Sequence, residues 1–76
     1  MSKGGDIVQQ MDANAIGKTL VKLRGKKTQE EVANALGISV SALSMYEQGK
    51  RIPRDNIKIR IASYYNKPIH KIFFAL

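Results

Sequence analysis

TQEEVANALGISVSALSMYEQGK, residues 28–50, predicts two short helices joined by a tight turn. Thr28, followed three residues later by Glu31, forms a capping-box pattern that starts the first of these helices. Gly37 stands where the end of a helix needs a residue in the left-handed conformation. The pattern therefore predicts a helix from Gln29 to Leu36.

The second helix of the pair begins directly after the turn. Ser39 is a favourable N-cap residue, and the helix is predicted from Val40 to about Gln48, where Gly49 ends it. Its inward face carries Leu43 with Tyr46 or Glu47. Its opposite face carries Val40, Ser41, Ser44 and Met45. Two short helices joined by a glycine-containing turn are typical of a helix-turn-helix motif.

An amphipathic helix is predicted before this pair. It spans about Ala13 to Leu23, because Ile16, Leu20 and Leu23 recur at helical spacing and form an apolar stripe. Gly25 then ends it.

The segment after Pro53 allows two interpretations. IKIRI at residues 57–61 alternates apolar and basic residues, as a strand does, but a lone strand without a partner is rarely stable. Ile57, Ile61 and Tyr65 also fit helical spacing, and Asp55 can cap a helix. We therefore predict a helix from Asp55 to Tyr65. A last helix follows at 69–74, with Pro68 in its first turn.

Length and composition indicate one small domain. The chain has 76 residues, of which 1–12 are predicted to be a flexible N-terminal tail and 13–76 one folded domain that contains the helix-turn-helix motif. The predicted fold class is all-α, a compact bundle of about five short helices. It has no cysteine, and no apolar run approaches the roughly 18–20 residues that a membrane span needs. We expect a cytoplasmic protein without a membrane partner.

The charge balance favours a polyanionic partner. Thirteen lysines and arginines against six acidic residues give a net charge of +7, and basic proteins bind nucleic acid by neutralising phosphates. The alternative is a merely solubilising surface. Six of the thirteen cations fall into two clusters, the first of which is free of acidic residues. One contains Arg24, Lys26 and Lys27, and the other contains Lys50, Arg51 and Arg54.

Residues 16–74 resemble the Xre, or lambda-repressor-like, family of helix-turn-helix transcriptional regulators. The resemblance rests on IGKTLVKLR, TQEEVANALGISVSALSMYEQGKRIP and IASYYNKPIHKIFF. Its most recognisable pieces are Gln29, Val32–Ala33, Gly37, Leu43–Ser44, Glu47, Gly49, Lys50 and Pro53. Two features depart from the family pattern: the loop RGKKTQ is about two residues shorter than usual, and Lys58 occupies a usually apolar core position.

The resemblance implies that helix two crosses the DNA backbone and helix three lies in the major groove. The implied base-contacting residues are Val40, Ser41, Ser44 and Met45. The implied phosphate contacts are Gln29, Ser39, Lys50, Arg51, Arg54 and Lys27. In this family an arginine that ends helix one commonly pairs with the glutamate of helix three, so Arg24 and Glu47 are expected to form a structural pair.

The candidate base-reading side chains favour modest specificity. None is arginine, asparagine or glutamine, so no bidentate contact with guanine or adenine is available from them. Val40 and Met45 can make only apolar contacts, most usefully with thymine methyl groups. Gln48 is polar but lies near the end of the helix, and it ranks below them. DNA shape and two combined half-sites are expected to supply the remaining specificity.

No residues suggest an enzyme, a metal site or a cofactor. His70 is the single histidine, and without cysteines or a nearby carboxylate cluster it completes neither a metal site nor a catalytic triad. Glu30 and Glu31 are adjacent and face different directions on a helix, which does not suit acid–base chemistry.

The sequence therefore predicts a sequence-specific, double-stranded-DNA-binding transcriptional regulator. We expect a bacterial or phage repressor that binds a palindromic operator as a homodimer. The alternative is an antitoxin or antirepressor-type module whose main target is a partner protein. The apolar C-terminus offers a dimer seam through Phe74 and Leu76. Alternatively, Ile7, Val8 and Met11 cover this surface.

Overall fold

The computed structural model describes residues 9–75, which form five helices and one two-stranded antiparallel sheet. The helices are α1 (Ala13–Arg24), α2 (Gln29–Leu36), α3 (Val40–Glu47), α4 (Asp55–Tyr65) and α5 (Ile69–Phe73). The strands are β1 (Gln9–Gln10) and β2 (Phe74–Ala75). This arrangement confirms the predicted all-α bundle.

The predicted helix bounds agree with the structure to within one residue. The bounds of α2 and α4 are those predicted, whereas α1 extends one residue further, to Arg24. The predicted end of helix three at Gln48 was one residue too late, because Gln48 is the C-cap residue. The predicted end of the last helix was also wrong, because Phe74 has extended backbone angles and begins β2.

Side-chain caps start the first three helices. Asp12 accepts a 2.8 Å hydrogen bond from the backbone N–H of Ala15. Thr28 and Glu31 form the predicted capping box, in which each side chain accepts a hydrogen bond from the other residue's backbone N–H. These bonds satisfy amide groups that have no partner within the helix.

Two predicted helix starts need correction. Asp55 is the first residue of α4 rather than its cap, and Arg54 is the N-cap residue and makes no side-chain cap bond. Pro68 likewise precedes α5 as its N-cap residue instead of lying in the first turn. Proline's fixed φ and missing N–H suit either position, so the sequence could not distinguish them.

Three helices end in the same way. In α2, α3 and α4 the chain turns through a left-handed residue, and the backbone N–H groups of that residue and of the one after it bond back to the last turn, as in a Schellman motif. The left-handed residues are Gly37, Gly49 and Asn66. These closures fix the short connection from α2 to α3 and the exit from α3.

The core lies between α1, the α2–α3 pair and the two C-terminal helices. Its largest fully buried side chains are Ile16, Leu20, Val32, Leu43, Ile61, Ile72 and Phe73. α1 and α3 approach each other closely at Gly17, where an added Cβ would lie 2.5 Å from the carbonyl oxygen of Glu47. Only a residue without a side chain allows this approach, which holds α3 against α1.

The two ends of the described chain meet over Lys58. Gln9 and Gln10 pair with Ala75 and Phe74, and the backbone N–H of Met11 donates a 2.8 Å hydrogen bond to Phe73 O. Residues 9–12 therefore contact the helical domain, unlike the flexible tail predicted from the sequence. The remaining predicted tail residues, with Ile7 and Val8, lie outside the described residues, as does Leu76.

Lys58 is buried, with 5% of its surface exposed. Its ammonium group bonds to the side-chain oxygen of Gln10, lies 3.6 Å from an Asp55 carboxylate oxygen, and lies 4.9 Å from the centre of the Phe74 ring. A charge needs such partners when it leaves water. Position 58, which is usually apolar in the family, thus accommodates a lysine, and α4 keeps its predicted bounds.

None of the helices within residues 9–75 has both the length and the apolar character required to cross a bilayer.

Candidate nucleic-acid interface

The outward face of α3 is uncharged and accessible. Val40 and Met45 are 41% and 38% exposed, although both are large apolar side chains. Ser41 is exposed between them, and Ser44 is half-buried. The inward face consists of Leu43, Tyr46 and Glu47, all buried. The structure thus brings the four predicted base-contacting residues to one side of α3.

Two hydroxyl groups on this helix are already engaged. Ser39 Oγ accepts a 3.0 Å hydrogen bond from the backbone N–H of Ala42, which caps α3. Ser44 Oγ accepts a 2.6 Å hydrogen bond from Nε2 of Gln48. A hydroxyl oxygen that accepts in this way still has its own hydrogen to donate. Both serines are therefore available as donors to a ligand.

Three exposed cations follow α3 directly. Lys50, Arg51 and Arg54 are all exposed, and no acidic residue lies between Gln48 and Arg54. Gly49 directs this segment, since its φ of 76° is a left-handed conformation and an added Cβ there would collide with Asn14. The candidate interface accordingly consists of the uncharged outward face of α3 and a basic flank formed by Lys50, Arg51 and Arg54.

Glu47 joins three helices beneath this surface. Its Oε2 accepts a 2.8 Å hydrogen bond from Arg24 Nε at the end of α1, and its Oε1 accepts one of 2.8 Å from Gln29 Nε2 at the start of α2. The Glu47 side chain is only 3% exposed and that of Arg24 is 21% exposed. The hydrogen bond with Glu47 raises the pKa of the Arg24 guanidinium above its ordinary value. The expected pair of Arg24 and Glu47 is thus in direct contact, with Gln29 as a third member.

This cluster changes what Gln29 can offer to a phosphate. One of its two side-chain amide hydrogens is donated to Glu47, so the other amide hydrogen and the backbone N–H groups of the α2 N-terminus remain available to a phosphate. Arg24 is similarly engaged, because its Nη1 donates a 2.8 Å hydrogen bond to Lys27 O. The side chains of Arg24 and Gln29 therefore connect α1 and α2 to α3.

Lys27 lies apart from the other predicted phosphate contacts. Its ammonium group is 3.1 Å from the hydroxyl oxygen of Tyr64 and 4.8 Å from the centre of that ring. The neighbouring Tyr65 is half-buried, and burial, followed by the charge of Glu47, raises its pKa to about 12. Lys27 is exposed but held towards α4, so a phosphate would have to draw it away from Tyr64.

Sequence reasoning missed three contacts that support the site, made by Gly17, Gln48 and Gln29. Gly17 looks like an unfavourable helix residue, and nothing local shows that it faces α3. The bond between Gln48 and Ser44 joins residues four apart, a spacing that could have indicated it. The bond from Gln29 to Glu47 spans two helices, so no local pattern indicated it, and the phosphate contact of Gln29 stays a prediction. His70 is half-buried on α5, and residues 9–75 hold no group of three ionisable side chains placed to bind a metal ion.

Comparison with known proteins agrees with this geometry. A helix-turn-helix family model matches residues 18–72. The chain belongs to this family of Xre, or lambda-repressor-like, helix-turn-helix proteins. It is also similar to the solution structure of the SOS-response transcriptional repressor LexA from Eubacterium rectale, with a TM-score of 0.76 over 87% of this chain and 72% of that chain. The sequence identity is 24%, so this likeness shows the fold alone. No curated protein matches the chain significantly.

The family and the fold define a DNA-binding helix-turn-helix domain of the kind found in transcription regulators. Double-stranded DNA is the ligand that this family implies.

Proposed function

We propose that this protein is a sequence-specific repressor of bacterial or phage type that places α3 in the major groove of its operator. The observation that carries the proposal is the exposed, uncharged face of α3 directly beside three exposed cations. Phosphate contacts hold a protein on DNA in register, whereas contacts with base edges provide specificity. The three cations suit the phosphate contacts, and the outward face of α3 suits the base contacts. Repression then follows from occupation of promoter DNA.

The basic flank supplies most of the affinity for DNA. Within residues 9–75, Lys50, Arg51 and Arg54 form no ion pair, and the nearby Asp55 carboxylate lies 3.6 Å from Lys58. Each phosphate that they neutralise releases condensed counterions, so affinity should fall steeply with salt concentration. Ser39 adds a hydroxyl donor at the start of α3, and the α2 N-terminus adds backbone N–H groups.

The outward face of α3 contacts bases mainly through apolar side chains. Val40 and Met45 have no hydrogen-bonding capacity that matches a base edge, but both can contact the methyl group of thymine. In an ideal helix five residues advance by about 7.5 Å, so the two side chains address separate base pairs. Thymine is therefore the expected base at the positions that Val40 and Met45 contact.

Binding is proposed to involve a symmetric pair of chains. A single short recognition helix contacts few base pairs, and a homodimer on a palindromic operator doubles that number, with half-sites about 34 Å apart. Ile72 and Phe73 are buried within the domain, and Phe74 packs partly against it, so most of the apolar C-terminus is used internally. The dimer surface must therefore include other residues as well.

The proposal is tested by selecting binding sites from random duplex DNA and by footprinting on the DNA upstream of the protein's own gene, at two salt concentrations. The expected result is a palindromic, thymine-rich site whose affinity falls with salt. Sedimentation of the free and DNA-bound protein determines the number of chains per site. Failure to enrich any sequence, with weak and salt-insensitive binding, would refute the proposal.

A second candidate function is recognition of a partner protein. The observation that favours it is Ile59 on α4, which is 61% exposed and lines a shallow groove with Ala35, Leu36, Arg60 and Tyr64. Contiguous exposed apolar patches often mark interaction surfaces, and the groove around Ile59 is the candidate patch here. In this case Ile59→Lys should abolish partner binding and leave DNA binding unchanged, whereas Arg51→Ala should do the reverse.

A further inference from the structure

We infer that Gln48 is a specificity-determining positioning residue, because it fixes the Ser44 hydroxyl as a hydrogen-bond donor towards DNA. The inference rests on the proposed function and names the chemistry of one base that the protein selects. That base carries an acceptor at its major-groove edge, and cytosine is disfavoured there.

The bond between these residues is short and its geometry is held by the end of α3. Gln48 Nε2 lies 2.6 Å from Ser44 Oγ. Gln48 is the C-cap residue, and its backbone N–H bonds to Ser44 O at 2.9 Å. The left-handed Gly49 then allows Lys50 N–H to close the helix on Met45 O. Backbone and side chain of Gln48 are thus both tied to the turn that carries Ser44.

The direction of this bond determines what Ser44 presents to a base. A free serine hydroxyl is both donor and acceptor, and it therefore distinguishes bases poorly. An amide N–H that occupies one of the two lone pairs of Ser44 Oγ leaves the hydroxyl hydrogen and one lone pair, so the balance of the hydroxyl shifts towards donation. The bond also polarises the hydroxyl, which strengthens it as a donor.

The four bases respond differently to a donor. Guanine offers N7 and O6 as acceptors, adenine offers N7, and thymine offers O4, whereas cytosine offers only its N4 amino group, itself a donor. A donor facing a donor leaves both groups unsatisfied after water has been excluded. One hydrogen bond of this kind corresponds to roughly a five-fold difference in affinity, so cytosine should be disfavoured about five-fold at the base next to Ser44.

The test reverses the direction of the bond. Gln48→Glu replaces the amide nitrogen by a carboxylate oxygen, which can only accept. Ser44 must then donate to that carboxylate and present its oxygen to DNA. Gln48→Met retains the length of the side chain but can neither donate nor accept a hydrogen bond to Ser44. The Ser44 hydroxyl is then free to rotate. Gln48 is exposed, so these variants should retain the melting temperature of the wild type to within a few degrees.

Binding is measured for a selected operator and its single-base variants, with the wild type, the two Gln48 variants, Ser44→Ala and both double variants. The base next to Ser44 is the position at which Ser44→Ala alone changes preference. Wild type should disfavour cytosine there about five-fold, Gln48→Met about two-fold or less, and Gln48→Glu should bind cytosine at least as well as the other bases. In the Ser44→Ala background, the Gln48 substitutions should produce no difference between bases.

The extra negative charge of Gln48→Glu weakens binding to every sequence, and the Ser44→Ala double variant measures that uniform loss. A cytosine preference that persists without the Ser44 hydroxyl would show direct contact by the side chain at position 48 and would overturn the inference. An unchanged preference in Gln48→Glu would also overturn it. Absence of sequence-specific binding by the wild type would instead refute the proposed function.

Discussion

The carboxylate of Glu47 on α3 accepts a 2.8 Å hydrogen bond from the guanidinium of Arg24 at the end of α1. The carboxylate is almost fully buried, whereas the arginine keeps about a fifth of its side chain in solvent. The same carboxylate also holds Gln29. One acidic residue therefore connects α3 to both helices that precede it.

Replacement of Glu47 by glutamine should destabilise the domain by about 1–3 kcal/mol. The substitution retains the shape of the side chain but leaves the Arg24 charge partly buried without its counterion. Urea denaturation gives the free energy of unfolding. Glu30→Gln, at an exposed position on α2, is the control and should change stability by less than about 0.5 kcal/mol. Equal effects of the two substitutions would show that the Glu47 contacts contribute nothing specific.

Gly17→Ala should destabilise the protein, although alanine usually stabilises a helix relative to glycine by about 0.5–1 kcal/mol. The added Cβ would lie 2.5 Å from Glu47 O and 3.0 Å from Tyr46 O, and both are backbone atoms. We expect a loss of about 1–3 kcal/mol because α3 must shift away from α1. Lys18→Ala, on the exposed side of the same helix, serves as the comparison in thermal unfolding. A more stable Gly17→Ala variant would contradict the close approach of α1 and α3.

Lys58→Met should leave the stability within about 1 kcal/mol of the wild type or increase it. Methionine retains the packing against Phe74 and removes the cost of burying a charge. Gln10→Ala should cost about 1 kcal/mol in the wild type, since Lys58 loses its acceptor. The same substitution should cost nothing in the Lys58→Met background. A double-mutant cycle by chemical denaturation measures this coupling, and additive effects would show that Gln10 does not satisfy Lys58.

The stability of the domain should fall at alkaline pH partly because of Tyr65. Its pKa is about 12 in the folded protein and about 10 in an unfolded chain. The unfolded state therefore loses this proton first, so the contribution is complete below pH 10 and is lost as the pH rises towards 12. Tyr65→Phe should show a shallower loss of stability over this range in urea denaturation, and parallel curves for the two proteins would contradict the shifted pKa.

The sequence was sufficient for the fold because its signals are local. The Thr28–Glu31 capping box, the glycines at 37 and 49, and the apolar spacing of Ile57 and Ile61 each act within one helix or one turn. These signals located all five helices to within one residue at each end. The same reasoning applied to the outward face of α3, since Val40 and Met45 follow from helical spacing alone.

The sequence was insufficient where a residue acts through a distant one. Gln10 and Lys58 are separated by 48 positions, and nothing near Lys58 indicates that strand β1 supplies its acceptor. Gln29 is of a residue type that often contacts DNA, and nothing near it in the sequence indicates that its amide bonds to Glu47, 18 positions away. Such partners are determined by tertiary packing, which local patterns do not encode.

The proposed DNA-binding surface is tested most directly by titrating the selected operator and its single-base variants with Met45→Ala and Arg51→Ala over a range of salt concentrations. Met45→Ala should change the preference at particular base pairs by about 1–3 kcal/mol and leave the salt dependence unaltered. Arg51→Ala should weaken binding to all sequences about equally and reduce the slope of log affinity against log salt by about one. If both variants bound every duplex as the wild type does, α3 and its basic flank would not be the DNA-binding surface.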